Sequence, residues 1–597
     1  MARMQARPLP QARRSLGRWH LAPRVALLAL LGFGALQAAA PSLRLRGEVR
    51  DAQTGRPLAG ALARADSETA LTGPNGLFQL GPVPPWQTVS FEADGYEPRS
   101  APAWLPGATS AALPPLAAEA WTVDEDSGQP VAASLESDFG RVEGLEPGRF
   151  RLAPIKAGSR LSARAEGYLP TSAVYEGEPN FALRLTPVPV GRVLDAVSGR
   201  PVAGALVLAD EQLISSDADG RFELPGRPRR TVRVTAPGFR RLEVDGNAAG
   251  SLDLRLEPFT VRGLYLAFYG SGDESVRGNA LRLLETTEAN TLVVDVKGDR
   301  GFLAYESRVP LANQIGANKR PTLPDVDRFV AELHANGRYA IARIVLFKDD
   351  LLARNGAAAG LDVAIKDRRT GRAWVDGEGL GWVDPFRAEV WDYNVALARE
   401  AAERGFDEVQ FDYVRFPTDP GTSTSVDAAT YSREPTAQSR PEAIASFLER
   451  AHQAIRPLGA FLSVDTFGYT CWRDDDLGIG QNLAAIAPHV DYISPMIYPS
   501  TYHAGLPGTV SYPAVIDRPY DVVYESLDQA RVRMAGRGGA RLRPWLQYFD
   551  DYAWATGRSY DAAQIQAQKA AADDAGGVGW MLWDPFSRYA RGGLNPQ

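Results

Sequence analysis

The sequence predicts a multidomain chain in which three small all-β sandwich modules precede one large α/β barrel of the (β/α)8 type. Two patterns predict this order. A repeat of about 72 residues fills the first part of the chain, and apolar runs alternate with helical patterns after it. The length of 597 residues fits about four domains. With 45% hydrophobic and 23% charged residues, the composition excludes disorder and coiled coil as the main state.

Charge and cysteine content narrow the function classes. The net charge of −7 argues against a broad basic surface, so we expect no nucleic-acid partner. Cys471 is the one cysteine of the chain, which excludes an intramolecular disulfide and any cysteine cluster for zinc or iron–sulfur. The five histidines are scattered along the sequence. We therefore expect no metal and no cofactor.

The first forty residues predict a signal peptide. Several arginines precede an apolar run from Val25 to Leu36, and Ala38–Ala40 supply small residues suited to cleavage. The apolar run is short for a membrane-spanning helix, which needs about 20 residues. We expect an exported protein, periplasmic or extracellular. The alternative is an uncleaved N-terminal anchor in the inner membrane, and we expect no other membrane association.

The repeat predicts tandem sandwich modules over 42–116, 117–187 and 188–257. Two markers carry it: a Gly-x-Pro turn, and an aromatic residue that follows a glycine. The turn recurs at Gly55–Ala61, Gly128–Ala133 and Gly199–Ala205, and the aromatic marker at Gly95-Tyr96, Gly167-Tyr168 and Gly238-Phe239. Alternating apolar and polar residues between such turns predict short, half-buried strands. The second module is degenerate, because Phe139–Val142 stands where the others have an Asn-Gly or Asp-Gly turn. These motifs resemble carboxypeptidase-regulatory-like modules, and the resemblance implies spacers or weak binding modules.

From Phe259 to Gln597 the period changes to strand–helix alternation. The eight apolar runs are Gly263–Phe268, Thr291–Val296, Tyr339–Val345, Glu408–Tyr413, Phe461–Asp465, Val490–Met496, Arg543–Tyr548 and Val578–Trp583. The helical patterns between them include Asp325–Asn336, Arg387–Arg404, Pro441–Ile455 and Asp561–Ala575. This alternation predicts a parallel sheet covered by helices, and eight repeats predict a closed barrel. A doubly wound open sheet is the alternative, but its glycine-rich loop is only faintly matched by Tyr269–Asp273.

Carboxylates recur where the predicted barrel strands end, with aromatic and basic residues between them. In such barrels the active site lies at the carboxyl ends of the strands. Glycosidic cleavage needs one acid to protonate the leaving oxygen and a second carboxylate to attack or to activate water. Aromatic rings pack against the apolar faces of sugars, and Trp374, Trp382 and Trp472 fall in loops where a substrate could touch them. We interpret Trp545 and Trp580 as core residues.

The run Gly405–Pro417, together with Val294–Lys297, Asp465–Tyr469, Ser494–Ser500, Arg543–Gln547 and Gly579–Trp583, resembles a bacterial family of glycoside-hydrolase domains. That family is a (β/α)8 barrel distantly related to the α-amylase and α-galactosidase clans, and the resemblance covers Val261 to Tyr589. It implies a glycosidase with a carbohydrate substrate and a retaining mechanism. It places the nucleophile at Asp412 and the acid at Asp465, although α-amylases have Glu there; Asp491 begins its strand and fits worse.

The sequence predicts further residues that bind substrate at the strand ends: Asp295, Lys297, Arg343, Tyr413, Arg415, Tyr469, Trp472, Tyr498, Gln547, Trp583 and Asp584. Three alternatives stay open. Asp412 and Arg415 could form only a structural ion pair, and the barrel would then bind cell-surface or extracellular glycan without cleaving it, with the sandwich modules as spacers. Cys471 and His503 could form a nucleophilic pair. The loop Asp474–Asp476 could hold calcium.

Overall fold

The computed structural model describes residues 43–105, 108–228, 230–246, 252–418, 426–551 and 558–597. The predicted signal peptide lies outside them. The chain divides into two compact units, Met1–Val188 and Pro189–Gln597. Within the described part, no helix is long and apolar enough to cross a membrane.

The first unit contains two sandwich modules, each made of two small sheets around its own core. The strands of the first module are Leu43–Asp51, Leu62–Ala65, Glu68–Leu71, Leu77–Val83, Thr88–Glu92, Arg99–Pro102 and Ser110–Leu113. Those of the second are Ala118–Asp124, Ser134–Ser137, Val142–Glu146, Arg149–Leu152, Arg160–Arg164, Thr171–Val174 and Asn180–Leu185. Alternate residues of these strands point inward, so that Val49, Val89 and Leu113 are fully buried. The predicted β-sandwich architecture is confirmed, and the exact module limits stay predictions.

In the first module, the side chain of Tyr96 is hydrogen-bonded to the end of the first strand. The Tyr96 hydroxyl donates to Asp51 Oδ2 at 2.9 Å, and Asp51 Oδ1 accepts from the backbone N–H groups of Gln53 and Thr54, both at 2.8 Å. Burial and the hydrogen bond to Asp51 raise the pKa of Tyr96 to about 12. The third module has Phe239 at the corresponding position, so this bond is dispensable to the architecture.

We expect Tyr96→Phe to lower the free energy of unfolding of the first module by about 1 kcal/mol, because one partly buried hydrogen bond is lost. Hydrogen exchange of the amides of this module measures the change. Tyr175→Phe in the second module is the control: among the described residues the Tyr175 hydroxyl has no hydrogen-bond partner, and we expect no change in the free energy of unfolding of the second module. Equal effects of the two substitutions would contradict the role of the Tyr96 bond.

The second unit begins with the third sandwich module. Its strands are Val190–Asp195, Leu206–Ala209, Gln212–Ser215, Arg221–Glu223, Thr231–Thr235, Leu242–Asp245 and Leu252–Leu256. This module packs on the barrel: the Gly238 N–H donates to the Tyr492 hydroxyl at 3.0 Å, and Arg241 Nη2 lies 3.2 Å from Asp407 Oδ1. Both barrel residues lie at the amino ends of strands. The module therefore covers the face opposite the carboxyl ends of the strands.

Eight parallel strands close the barrel, which confirms the predicted (β/α)8 fold. The strands are β1 Val261–Leu266, β2 Thr291–Lys297, β3 Tyr339–Val345, β4 Glu408–Asp412, β5 Phe461–Phe467, β6 Tyr492–Ile497, β7 in two segments, Arg541–Leu542 and Trp545–Gln547, and β8 Gly579–Trp583. Each strand pairs with the next, β8 pairs with β1, and β5 pairs with β6. Pro544 lacks an N–H group, which is consistent with the interruption of β7.

Helices surround the barrel and bury its outer face. They are Phe268–Gly272, Glu274–Thr286, Pro310–Ile315, Val326–Ala335, Asp350–Asn355, Ala388–Glu403, Ser439–Ile455, Leu483–Ile486, Pro519–Met534 and Ala562–Asp574. One apolar core lies between helices and strands, and a smaller one, with Tyr265, Ile341, Trp545 and Met581, fills the inside of the barrel. The strand ends are therefore fixed from both sides.

Candidate active site

A buried arginine joins three aspartates at the carboxyl ends of neighbouring barrel strands. Arg343 on β3 donates from Nη1 to Asp295 Oδ1 on β2 and from Nη2 to Asp412 Oδ2 on β4. Its Nε lies 3.7 Å from Asp465 Oδ2 on β5. The order β2-β3-β4-β5 in the sheet brings these four side chains together. None of the four residues is more than 5% exposed, so we call them the carboxylate cluster.

Each carboxylate of the cluster has one further donor. The Tyr265 hydroxyl donates to Asp295 Oδ2 at 2.6 Å, and Trp545 Nε1 donates to Asp465 Oδ1 at 2.8 Å. Asp412 Oδ1 accepts from the backbone N–H of Tyr413 at 2.5 Å. The backbone of Tyr413 has a φ of 52°, a left-handed conformation that costs free energy in a non-glycine residue and clusters at functional sites. Strand β4 therefore ends in a strained turn that fixes the Asp412 carboxylate.

Burial and charge separate the protonation of these aspartates. Burial raises the pKa of Asp465 well above its usual range, and the neighbouring charge of Asp412 raises it further. Burial also raises the pKa of Asp295, against the opposing effect of Arg343. One guanidinium group faces three carboxyl groups. Because negative charges repel each other in a buried site, the three carboxyl groups are not all ionised together. The raised pKa of Asp465 therefore favours a proton on this carboxyl group, and Arg343 supplies one positive charge to the cluster.

Aromatic rings form one wall beside the cluster. Trp583, at the end of β8, stacks on Tyr265 with ring centroids 4.0 Å apart and an interplanar angle of 21°. The Arg343 guanidinium carbon lies 5.0 Å from the Trp583 ring centroid. Trp583 is half-buried, whereas Tyr498 is 7% exposed and packs edge-on against Phe549. Of the predicted aromatic residues here, Trp583 has the more accessible ring.

The ion pair with Asp412 that the sequence suggested for Arg415 is formed by Arg343 instead, although the charge of Asp412 still raises the pKa of Arg415 against the effect of burial. The Arg415 guanidinium instead lies over three aromatic rings, with its carbon 5.0 Å from the Trp382 centroid, 5.1 Å from that of Tyr413 and 5.7 Å from that of Phe467. Burial lowers the pKa of Arg415. Phe467 is 38% exposed, so this cation–π group lies at the edge of the strand ends.

Two predicted substrate-binding residues form buried structural contacts instead of joining the cluster. Lys297 is fully buried, and its Nζ donates to Asp349 Oδ2 and Asn394 Oδ1, both at 2.7 Å. Gln547 is also fully buried and bonds to Ser500. The side chains of both residues are occupied by neighbouring loops and helices.

Three further predicted residues hold the loops that follow the strands. Asp584 Oδ1 accepts from the backbone N–H groups of Phe586 and Arg588, and burial raises the pKa of Asp584. The Tyr469 hydroxyl contacts the backbone of the loop at 504–505. Trp472 Nε1 donates to Ser526 Oγ at 2.9 Å.

Other expectations for the loops are wrong. Trp374 and Trp382 are only 1% and 2% exposed, because the loop that carries them folds back on itself through bridges such as Val375 to Gly381 and is held to the residues after β3 by the Val383 N–H, which donates to the Phe347 carbonyl at 2.9 Å. Burial raises the pKa of the Cys471 thiol to about 12, which disfavours the thiolate that a nucleophilic pair needs.

The acidic loop is paired with arginines. Asp474, Asp475 and Asp476 contact Arg533, Arg473 and Arg440, respectively. In the part of the chain that the structure describes, no group of three His, Cys, Asp or Glu residues is arranged to hold a metal ion. The carboxylates of this loop are therefore engaged by cations of the protein itself.

Two members of the site, Tyr265 and the indole of Trp545, were not predicted from the sequence. Both lie within apolar runs, where an aromatic residue is usually core. Their polar atoms could have indicated a role in the site, because a buried Tyr O–H or Trp N–H normally has a hydrogen-bond partner.

The closed barrel with carboxylates and an aromatic wall at the carboxyl ends of its strands defines a protein of the glycoside-hydrolase barrel class. The chain belongs to the family described as "Putative glycosyl hydrolase domain", whose family model matches residues 263–589.

Solved structures of three other proteins are similar to parts of the chain. A hypothetical protein from Ruminiclostridium thermocellum ATCC 27405 is 32% identical, with 34% of this chain and 96% of that chain covered and a TM-score of 0.28. The PgaB (BpsB) glycoside hydrolase domain from Bordetella bronchiseptica is 13% identical, with 55% and 95% covered and a TM-score of 0.39. The PelA glycoside hydrolase domain (variant E218A) from Pseudomonas aeruginosa is 14% identical, with 55% and 96% covered and a TM-score of 0.30. No curated protein matches the chain. The family assignment rests on the family match.

Proposed function

We propose that the chain is an exported glycoside hydrolase that cleaves glycosidic bonds of a poly- or oligosaccharide with Asp412 and Asp465. The observation that carries this proposal is the shared contact of both carboxylates with Arg343. It keeps them side by side at the carboxyl ends of β4 and β5, where barrel enzymes perform their chemistry. Two carboxyl groups in different protonation states are what glycoside hydrolysis requires.

The two carboxyl groups take different roles. Asp465, protonated because of burial and the charge of Asp412, donates its proton to the leaving glycosidic oxygen. Asp412, whose Oδ2 accepts from Arg343, attacks the anomeric carbon and forms a glycosyl–enzyme bond, which water then breaks with Asp465 as base. Retention of anomeric configuration follows from this order. NMR of the first-formed product tests it, and an inverted product would assign Asp412 to water activation instead.

Substrate contacts come from the part-exposed residues around the cluster. Trp583 offers its ring face to a sugar, and Tyr413, Arg415 and Phe467 form the neighbouring edge. Asp295 and Arg343 hold the acids in place. Lys297 and Gln547 are fully buried and link the strand ends to neighbouring loops and helices.

A glycan panel tests the proposed activity. The full chain is incubated with soluble and insoluble polysaccharides, and new reducing ends are measured. We expect hydrolysis of at least one polymer. N-terminal sequencing of the protein exported by its host tests the cleavage near Ala40, and an uncleaved product would indicate the membrane anchor.

The pH dependence follows from the raised pKa of Asp465. Its acid form is the active one, so we expect kcat to fall as the pH rises through this raised pKa. Asp465→Asn should lose most activity on natural glycans and retain more on aryl glycosides, whose leaving group needs no proton. Its pH profile should lack the alkaline fall, and an unchanged alkaline fall would contradict the assignment of the acid.

The exposure of Asp465, only 1%, favours a second candidate function, a barrel that binds glycan without cleaving it. In that case the sandwich modules are spacers and the carboxylate cluster is structural. Binding of a polysaccharide with no turnover on the whole panel would support this candidate over the enzyme.

A further inference from the structure

A cleft in the first unit lies between the first and second sandwich modules. One cavity of about 430 Å³ is lined by Arg56, Tyr96, Arg141 and Arg151, among others. A second cavity, of about 810 Å³, shares Leu58, Tyr96 and Pro154 with it. Cavities of this size accommodate small molecules or sugar units.

Specific contacts between the two modules hold the walls of this cleft. The Ile155 N–H donates to the carbonyl of Leu116 at 3.1 Å. Gly95 has a φ of +80°, and a Cβ there would lie 2.5 Å from the ring of Phe139. Only a glycine fits this close approach without a shift of its neighbour. The shape of the cleft is therefore fixed by specific contacts within the unit.

The first cavity has more cationic than anionic side chains in its lining. The second cavity is lined by the acids Glu92 and Asp94, and Asp94 pairs with Lys156 at 2.5 Å. Arg56, Arg141 and Arg151 form no ion pair with any carboxylate among the described residues. The Asp51 carboxylate beside them is already engaged by Tyr96 and two backbone N–H groups. Glu143, opposite Arg151 in the strand pair, is the remaining acid in the lining of the first cavity. Three guanidinium groups thus face two carboxylates, one of which is fully hydrogen-bonded.

We propose that this cleft binds an acidic polysaccharide, whose sugar carboxylates contact the arginines of the first cavity. A guanidinium group matches a carboxylate with two parallel hydrogen bonds. Tyr96 and Phe139 line the two cavities and supply ring surfaces for apolar sugar faces. That the ligand is a glycan rests on the proposed function. The cleft then holds polymer to the chain independently of the barrel.

The test measures binding of the full chain to polygalacturonate, alginate and hyaluronate by affinity electrophoresis and calorimetry, with dextran as the neutral polymer and glucuronate and inorganic phosphate as small anions. We expect at least one acidic polymer to bind, with an affinity that falls as salt rises. R141A/R151A should weaken it at least tenfold, and the matched control R164A/R184A, exposed arginines outside the cleft, should not.

Four results would overturn the proposal: no binding of any acidic polymer, equal binding of dextran, equal affinity of R141A/R151A, or small anions that bind as tightly as the polymer. The same titration with Asp412→Asn separates this inference from the proposed function. Arginine-dependent binding without hydrolysis by the unsubstituted chain leaves the cleft assignment standing and removes the enzymatic one. Hydrolysis without such binding does the reverse.

Discussion

Asp412→Asn is expected to abolish hydrolysis by the full chain, with a fall in kcat of about 10³-fold or more, the scale seen when a group acting on the reacting atoms is removed. Asparagine has the same size and shape and keeps one acceptor oxygen, which can accept from either the Tyr413 N–H or the Arg343 guanidinium, while its amide nitrogen takes the other position. The geometry of the site is therefore largely preserved, and the negative charge and nucleophilic oxygen are lost. Reducing-end release from the best polymer of the panel measures the effect.

Asp491→Asn is the matched control for this substitution. Asp491 directly precedes β6 at the opposite end of the barrel, and its Oδ2 accepts from the Leu462 N–H at 2.8 Å. An amide can keep this contact through its oxygen, so we expect kcat to change little. Equal hydrolysis by Asp412→Asn and the unsubstituted chain would remove Asp412 as the catalyst. Equal losses in both variants would indicate a general effect on folding.

Much of the barrel was predictable because its signals are local. The helix predicted over Asp325–Asn336 spans Val326–Ala335, with the Asp325 side chain accepting from the Arg328 N–H at its start. The helix predicted from Asp561 is Ala562–Asp574 and begins with a capping box. Strand β3 has the predicted bounds, Tyr339–Val345. Periodicity and caps depend on neighbouring residues, which the sequence displays directly.

The candidate site was only partly predictable because its contacts join distant strands. Asp295 and Asp412, at the ends of apolar runs, follow from the rule that barrel sites lie at the carboxyl ends of strands. Which cation pairs with Asp412 depends on how the sheet closes, and Arg415, three residues away, was the wrong choice. A charged residue inside the buried run of β3 was the signal for Arg343, since a buried charge requires a partner. The sequence could not show that it has three.

The third module also shows what a repeat cannot reveal. Its motifs match those of the first module, yet it forms one compact unit with the barrel. The reason lies in residues that the motifs do not specify. Arg233 Nη1 donates to the Leu458 carbonyl at 3.1 Å, and Arg240 Nη1 to the Gly337 carbonyl at 3.0 Å. Single side chains on a repeated scaffold thus decide which neighbour it packs against.

Replacement of the central arginine is expected to have the largest effect on stability. Arg343→Met leaves Asp295, Asp412 and Asp465 buried without a cation in contact. Breaking a buried ion pair by removing one partner costs about 3–5 kcal/mol, because the remaining charge is uncompensated. We expect the free energy of unfolding at neutral pH to fall by about this amount. Denaturant unfolding measured by tryptophan fluorescence gives the value.

The sign of the pH dependence distinguishes this electrostatic cause from simple loss of packing. Arg343 lowers the pKa values of Asp295 and Asp465 against the effect of burial, so without the guanidinium both rise further above the unfolded value of about 3.9. A carboxyl group with a raised folded-state pKa is protonated in the folded protein at low pH, where it costs no stability. The free energy of unfolding falls as the pH rises through the folded-state pKa. The deficit of Arg343→Met relative to the unsubstituted chain should therefore shrink as the pH falls toward the unfolded value.

Two further variants make the interpretation of Arg343 specific. Arg343→Lys keeps one charge but loses the fork that reaches three carboxylates, so we expect a smaller deficit with the same pH trend. Arg399→Met removes an exposed arginine, 3.5 Å from Glu403, and should change stability little because solvent screens such pairs. A deficit of Arg343→Met that stays constant with pH would assign the loss to packing. The raised pKa of Asp465 would then lack support, and the protonated acid on which the proposed hydrolysis depends would have to be sought elsewhere.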